Sequence, residues 1–141
     1  MMEVAGLDHV HMEVRDRQEA AAWYRSVLGL VPHKKLCVWA DDPMGPLILA
    51  TASGAPTLSL FARGCADPSR DATVALRVSG EGFLSFIRSL PIVDVVTRDG
   101  STLQPGDVVD HRLSWSIYFS DPDGNRLELT TYDYDAVKSG L

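Results

Sequence analysis

His9, His11 and Glu13 alternate with Val10, Met12 and Val14 in residues 7–14 (LDHVHMEV). That period of two belongs to a β-strand, so the three polar side chains share one face and the three apolar ones the other. An H-x-H-x-E stripe suits a cavity wall that binds a metal ion or a polar ligand. A half-exposed strand face without a task is the plain alternative. Positions i and i+2 of a strand lie about 7 Å apart, so both imidazoles reach one ion only with favourable rotamers.

A second set of candidates lies toward the far end of the chain. Glu128 sits between Leu127 and Leu129, on the same strand face as Arg126 and Thr130. A carboxylate turned inward needs a partner; a metal ion, Arg77 or Arg126 would each serve. Ser116 and Tyr118 alternate with Ile117 and Phe119, and residues 121–125 (DPDGN) form a strong turn before the next strand. A hairpin closed by that turn places Tyr118 opposite Glu128. His111, in residues 107–113 (DVVDHRL), is suited to general acid–base work near neutral pH, or is a surface-loop histidine. Trp39 and Trp115 could stack on a flat ligand or simply pack, whereas Trp23 and Tyr24 belong to a core. No GxSxG, no Cys–His pairing and no phosphate-cradling glycine loop is present.

The elements that must position these groups occur twice. In the first half, strand 7–14 is followed by a helix that Asp16 caps, with Glu19 three residues on. Ala20, Trp23, Tyr24, Val27 and Leu28 recur at helical spacing and Gly29 ends the helix. Strands are expected at 31–40, 47–52 and 57–62, and a polar linker at 63–72. The second half repeats the order. Strand 73–78 leads to a helix marked by Phe83, Phe86, Ile87 and Leu90 and stopped by Pro91. Strands are expected at 93–98, 115–120 and 126–131. Residues 99–113 read as a long irregular stretch over a pocket. Laid on one another, HVHMEV at 9–14 matches TVALRV at 73–78, and LSL at 58–60 matches LEL at 127–129. The expectation is one α+β domain over 1–141, made of two βαβββ modules (about 5–64 and 72–135) whose curved mixed sheets enclose a cavity.

Composition sets the outer bounds. A chain of 141 residues, 45% hydrophobic and 23% charged, is long enough for a real core. Its net charge of −6, with Lys34-Lys35 as the lone basic pair, makes a nucleic-acid backbone a poor partner. No apolar run approaches the roughly 20 residues of a membrane helix. Cys37 and Cys65 form no CxxC and read as free thiols of a reducing compartment, so a cytoplasmic location is expected.

The opening LDHVHMEVRDRQEAAAWYRSVLGL and the closing SIYFSDPDGNRLELTTY resemble the vicinal-oxygen-chelate superfamily. This is the group of glyoxalase I, bleomycin-resistance proteins, extradiol dioxygenases and fosfomycin-resistance enzymes. The resemblance implies the paired βαβββ fold and a small-molecule pocket centred on His9 and Glu128, which stand at two of the family's metal-ligand positions. Thr73 stands where a third ligand, usually histidine, is expected, and Ser59 where glyoxalases supply a further carboxylate. It implies a divalent metal (Fe, Mn, Zn or Ni), here weakly held or absent, because a catalytic ion typically needs about three protein ligands. His111 and Tyr118 would be the catalytic side chains, and His11, Ser116, Trp39 and Trp115 would meet the substrate. Val108 and Val137 stand where phosphonate-using relatives carry basic residues. Two readings follow: a lyase or dioxygenase acting on a small oxygen-rich or aromatic molecule, or a non-catalytic protein that sequesters a drug or metabolite. A homodimer is expected in either case, because relatives cover open sheet edges by pairing.

Overall fold

The computed structural model describes residues 1–3, 5–64 and 72–141; most of the expected linker, with Cys65, lies outside them. Contacts divide the chain into two compact units, Met1–Ala66 and Asp67–Leu141.

In the first unit, β1 (Val10–Glu13) leads into α1 (Arg17–Leu28). The Asp16 carboxylate accepts the Glu19 N–H at 2.8 Å and starts the helix. Gly29, at φ 68°, ends it in the left-handed conformation that glycine adopts without a Cβ clash. β2 (Val31–Pro32), β3 (Leu47–Ala50) and β4 (Pro56–Phe61) complete an open mixed sheet, ordered β1-β4-β3-β2, with β1 parallel to β4. Register places Met12 beside Leu60 and pairs Leu47 with Leu60 and Leu49 with Leu58. These residues form the apolar face and, with Ala20, Ala21 and Tyr24 of α1, the buried core.

The strand expected at 31–40 stops after Pro32. The His33 Nδ1 accepts the N–H groups of Lys35 and Leu36 at 3.2 and 3.1 Å, and the Cys37 N–H returns to the His33 carbonyl at 3.0 Å. These local bonds turn Leu36–Asp41 into a 3-10 helix. The alternation of Leu36 and Val38 with Cys37 and Trp39 imitates a strand, but the histidine cap satisfies the backbone first. Arg17 then clamps the end of this helix and the loop after it, donating to the carbonyls of Ala40 (3.0 Å) and Gly45 (2.6 Å).

The second unit repeats the topology. β5 (Thr73–Arg77), α2 (Gly80–Ser89), β6 (Val109–Asp110), β7 (Trp115–Ser120), β8 (Arg126–Thr131) and α3 (Tyr134–Gly140) follow in order. The sheet is ordered β5-β8-β7-β6, with β5 parallel to β8. Ser79 caps α2, and Phe86 stacks on Phe119 of β7 at 5.4 Å, so the face of Ile117, Phe119, Leu127 and Leu129 is the one under the helix. The turn at 121–125 is built by Asp121, only 2% exposed, whose Oδ1 accepts the N–H groups of Asp123 and Asn125 at 2.9 and 2.8 Å.

Two expectations fail here. No strand covers 93–98: Val96 alone forms bridges, to Thr102 and Ser120, because Thr97–Gly100 is turn sequence and reverses the chain at once. The fourth strand comes instead from Val109–Asp110, inside the stretch read as irregular. α3 was not anticipated; its Val137 is fully buried, and Asp133 Oδ2 at its start accepts the Gly80 N–H at 2.7 Å.

Candidate functional site

β7 and β8 pair as Ser116↔Thr130, Tyr118↔Glu128 and Ser120↔Arg126. Directly opposed residues of an antiparallel pair share a face, so these six side chains form the face turned away from α2. β5 extends it with Thr73, Ala75 and Arg77, in register with Arg126, Glu128 and Thr130. The hairpin inferred from DPDGN therefore delivers Tyr118 beside Glu128 as expected.

Ser116 is 1% exposed, and its hydroxyl donates to Glu128 Oε1 at 2.7 Å while lying 3.1 Å from Thr130 Oγ1. A hydroxyl given to a carboxylate is a charge-assisted bond of the stronger kind, and it fixes the Glu128 head on the sheet. Glu128 is half-buried, held by a serine rather than by either arginine considered from sequence.

His111 reaches the same face from the turn between β6 and β7. Its Nε2 lies 3.0 Å from the Tyr118 hydroxyl, with the two rings edge-on at 6.3 Å. The turn is pinned on both sides. The His111 N–H donates to the Ser114 carbonyl at 2.9 Å, and the Asp110 carboxylate accepts the Arg112 N–H at 2.7 Å and the Tyr134 hydroxyl at 2.8 Å. The Arg112 N–H, and after it the Tyr134 hydroxyl, hold the Asp110 carboxyl below its usual range; the same bond to Asp110 raises the Tyr134 phenol. Arg112 itself takes φ 71°, a left-handed conformation uncommon for a residue with a Cβ.

Arg98 is the member of this face that sequence reasoning missed. Its Nη2 donates to Thr73 Oγ1 at 2.8 Å, and its guanidinium carbon lies 5.1 Å from the centre of the Tyr118 ring. The turn sequence around it, Thr97-Arg98-Asp99-Gly100, was the available signal, masked by reading 93–98 as a strand.

Trp115 and Ser116 are neighbours on a strand and point to opposite faces. Trp115 stacks on Tyr134 at 5.3 Å, donates from Nε1 to the Tyr134 carbonyl at 3.1 Å, and lines a cavity of about 500 Å³ under α2 with Leu84, Ile87, Arg88 and Val108. That cavity is not bounded by Ser116, Tyr118 or Glu128.

The first unit holds the remaining candidates. His9 precedes β1, is exposed, and pairs through Nδ1 with Asp8 at 2.6 Å. His11 Nε2 meets Glu13 Oε1 at 2.5 Å, and its ring lies 4.1 Å from that of Phe61. Ser59 stands in register between His11 and Ile48 at 1% exposure, and its hydroxyl has no hydrogen-bond partner among the described residues. Trp39 is exposed on the 3-10 helix.

Among the described residues no three His, Cys, Asp or Glu side chains gather to hold an ion. At Thr73, where the resemblance expects an imidazole, a neutral hydroxyl takes a hydrogen bond from a guanidinium cation. A second cation beside that position is disfavoured by charge alone.

No protein-family model and no curated protein sequence matches the chain. Solved structures do. A glyoxylase/bleomycin resistance protein/dioxygenase domain from Frankia sp. EAN1pec is 18% identical with a TM-score of 0.64, covering 92% of this chain and 93% of that one. The oxidase ChaP-H2 is 22% identical with a TM-score of 0.65, over 96% and 99%. The fosfomycin resistance protein FosX from Listeria monocytogenes is 14% identical with a TM-score of 0.64, over 96% and 99%. Identity at this level establishes the fold and nothing finer. No helix among the described residues is long and apolar enough to cross a membrane.

Proposed function

We propose that this chain, which has the fold of the vicinal-oxygen-chelate proteins, takes a small oxygen-rich or aromatic molecule on the face of its second sheet turned away from α2. Tyr118, His111 and Glu128 are then working groups that make hydrogen bonds and move protons, rather than parts of a metal centre. One observation carries this reading: the His111–Tyr118 bond of 3.0 Å stands beside a Glu128 that Ser116 holds in place. A histidine changes charge near neutral pH and, bonded to a phenol, can give or take a proton through it. In this reading Ser116 holds Glu128 and Tyr118 touches the ligand.

Sequestration without chemistry is the second reading. Thr73 favours it, because a hydroxyl is a weak ligand for Zn, Fe or Mn at neutral pH. Purified protein is therefore expected to carry well under one equivalent of divalent ion. A full equivalent, tightly held, would show that His9, His11 or a second copy completes a sphere with Glu128, and would end the metal-free reading. Native mass spectrometry of the purified chain then decides on the ligand. A co-purifying small molecule lost in Tyr118→Phe and in His111→Ala supports the site; a ligand retained by both variants sinks it. A homodimer is part of this proposal. β5 is an edge strand with Thr73, Ala75 and Arg77 exposed, and unpaired edges invite pairing. A monomer by light scattering at micromolar concentration would count against it.

A further inference from the structure

Arg98 is brought to the face of the second sheet turned away from α2 by a hydrogen-bonded turn. The Thr97 N–H donates to the Ser101 carbonyl at 2.7 Å, the Gly100 N–H to the Thr97 carbonyl at 3.0 Å and the Leu103 N–H to the Val95 carbonyl at 2.9 Å. The Asp99 carboxylate accepts the Thr97 hydroxyl and, at 3.1 Å, the Ser101 N–H. The acid next to Arg98 in sequence is thus engaged by its own turn. Gly100, at φ 89°, supplies the reversal.

From this perch the guanidinium gives one N–H to Thr73 and lies over the Tyr118 ring. A guanidinium has five N–H donors in a planar fork, so the Thr73 bond orients the group and leaves most of the fork for another acceptor. The charge around it is lopsided. β5, β7 and β8 contribute Arg77 and Arg126 to this face and one acid, Glu128, which already accepts a hydrogen bond from the Ser116 hydroxyl. In a chain of net charge −6, a face with three arginines and one carboxylate is a local inversion.

We infer that Arg98 makes this face a carboxylate-binding site. The fork of Arg98 takes the two oxygens of a small organic acid, and the Tyr118 hydroxyl, when its oxygen accepts the His111 Nε2–H, keeps its own proton for the ligand as the neighbouring donor. A planar two-oxygen anion matches a guanidinium fork in shape and in charge. The inference rests on the proposed function only in taking this face as the ligand surface.

The test is a 1H–15N NMR titration of the whole chain with acetate and benzoate, against their neutral isosteres acetamide and benzamide, at constant ionic strength. The carboxylates are expected to shift the Arg98 side-chain signal and the Thr73 and Tyr118 amides saturably, and the amides are not. Arg98→Ala, with its fold checked by circular dichroism, should weaken the carboxylates by about 10–100-fold, the range for a hydrogen bond to a charged group. Arg98→Lys keeps the charge without the fork and should fall between. Arg88→Ala, at an exposed arginine in the last turn of α2, should change nothing. Equal shifts from carboxylates and amides overturn the inference, as does a titration indifferent to Arg98→Ala or equally weakened by Arg88→Ala. If Tyr118→Phe abolishes a response that Arg98→Ala spares, the ligand face stands and the role of Arg98 falls. Should the wild-type shifts fall away from this face altogether, both readings fall together.

Discussion

The two units are one topology written twice, and they differ on the face turned away from the helix. In both, a first strand runs parallel to the last, and the register is conserved: His11 stands beside Ser59 as Ala75 stands beside Glu128. The middle of β4 is a fully buried serine without a hydrogen-bond partner among the described residues, flanked by His11 and Ile48; the middle of β8 is a half-buried glutamate, flanked by Ala75 and Tyr118 and bonded to Ser116. At β1 the first unit pairs His9 with Asp8 and His11 with Glu13, close neighbours in sequence. The corresponding face of the second unit joins side chains of different strands and turns, Ser116 with Glu128, His111 with Tyr118 and Arg98 with Thr73. Duplication thus supplies a repeated scaffold, while the residues that reach across strands set the two faces apart.

The largest effect should come from the faces on which the units agree. Leu58 and Phe119 are both fully buried on the helix side of their sheets. Leu58→Ala should cost about 2–5 kcal/mol and Phe119→Ala about 3–5 kcal/mol, from lost transfer energy and the cavity left behind. Urea unfolding measures both, and a cost under about 1 kcal/mol in either unit would break the claim that they share one packing plan.

Ser116 and Ser59 sharpen the contrast, since both are 1% exposed. Ser116→Ala removes the donor that fixes Glu128, at a cost of about 1–3 kcal/mol. Ser59→Ala removes a buried hydroxyl that has no partner among the described residues, so stability should hold or rise by up to about 1 kcal/mol. The sign difference is the test: equal losses in the two variants would mean that Ser59 has a partner in solution.

Much of this was legible in the sequence where local and periodic signals agreed. The Asp16 and Gly29 boundaries, the DPDGN turn and the pairing of Tyr118 with Glu128 each follow from a residue type with one stereochemical job. Trp39 and Arg98 were misplaced for the opposite reason. Each sits in a short apolar alternation that a side chain nearby, His33 or Asp99, overrides by bonding the backbone into a turn. α3 was unread because its single buried anchor, Val137, gives no helical period. The bond between Arg98 and Thr73 spans 25 residues, beyond any local signal.

The smallest effect tests the turn that exists only in the second unit. α1 passes to β2 through Gly29 and Leu30, whereas the chain after α2 inserts the turn that carries Arg98. The Thr97 hydroxyl first, and the Ser101 N–H after it, lower the Asp99 carboxyl from 3.8 to about 2. The folded value lies below the unfolded one, so this contribution is fully present above about 3.8 and is lost as pH falls toward about 2. Asp99 is fully exposed, and the effect should be local rather than a loss of the fold. The amides of Gly100 and Ser101 should titrate together with a midpoint near 2, and the shift of the Thr73 amide should follow as Arg98 loses its perch. Asp99→Asn keeps an acceptor oxygen without the titration, so it should abolish the pH step and leave the Arg98 contact intact. A midpoint near 3.8 would show that Thr97 and Ser101 do not hold the carboxylate, and that the turn owes its shape to Gly100 and the backbone alone.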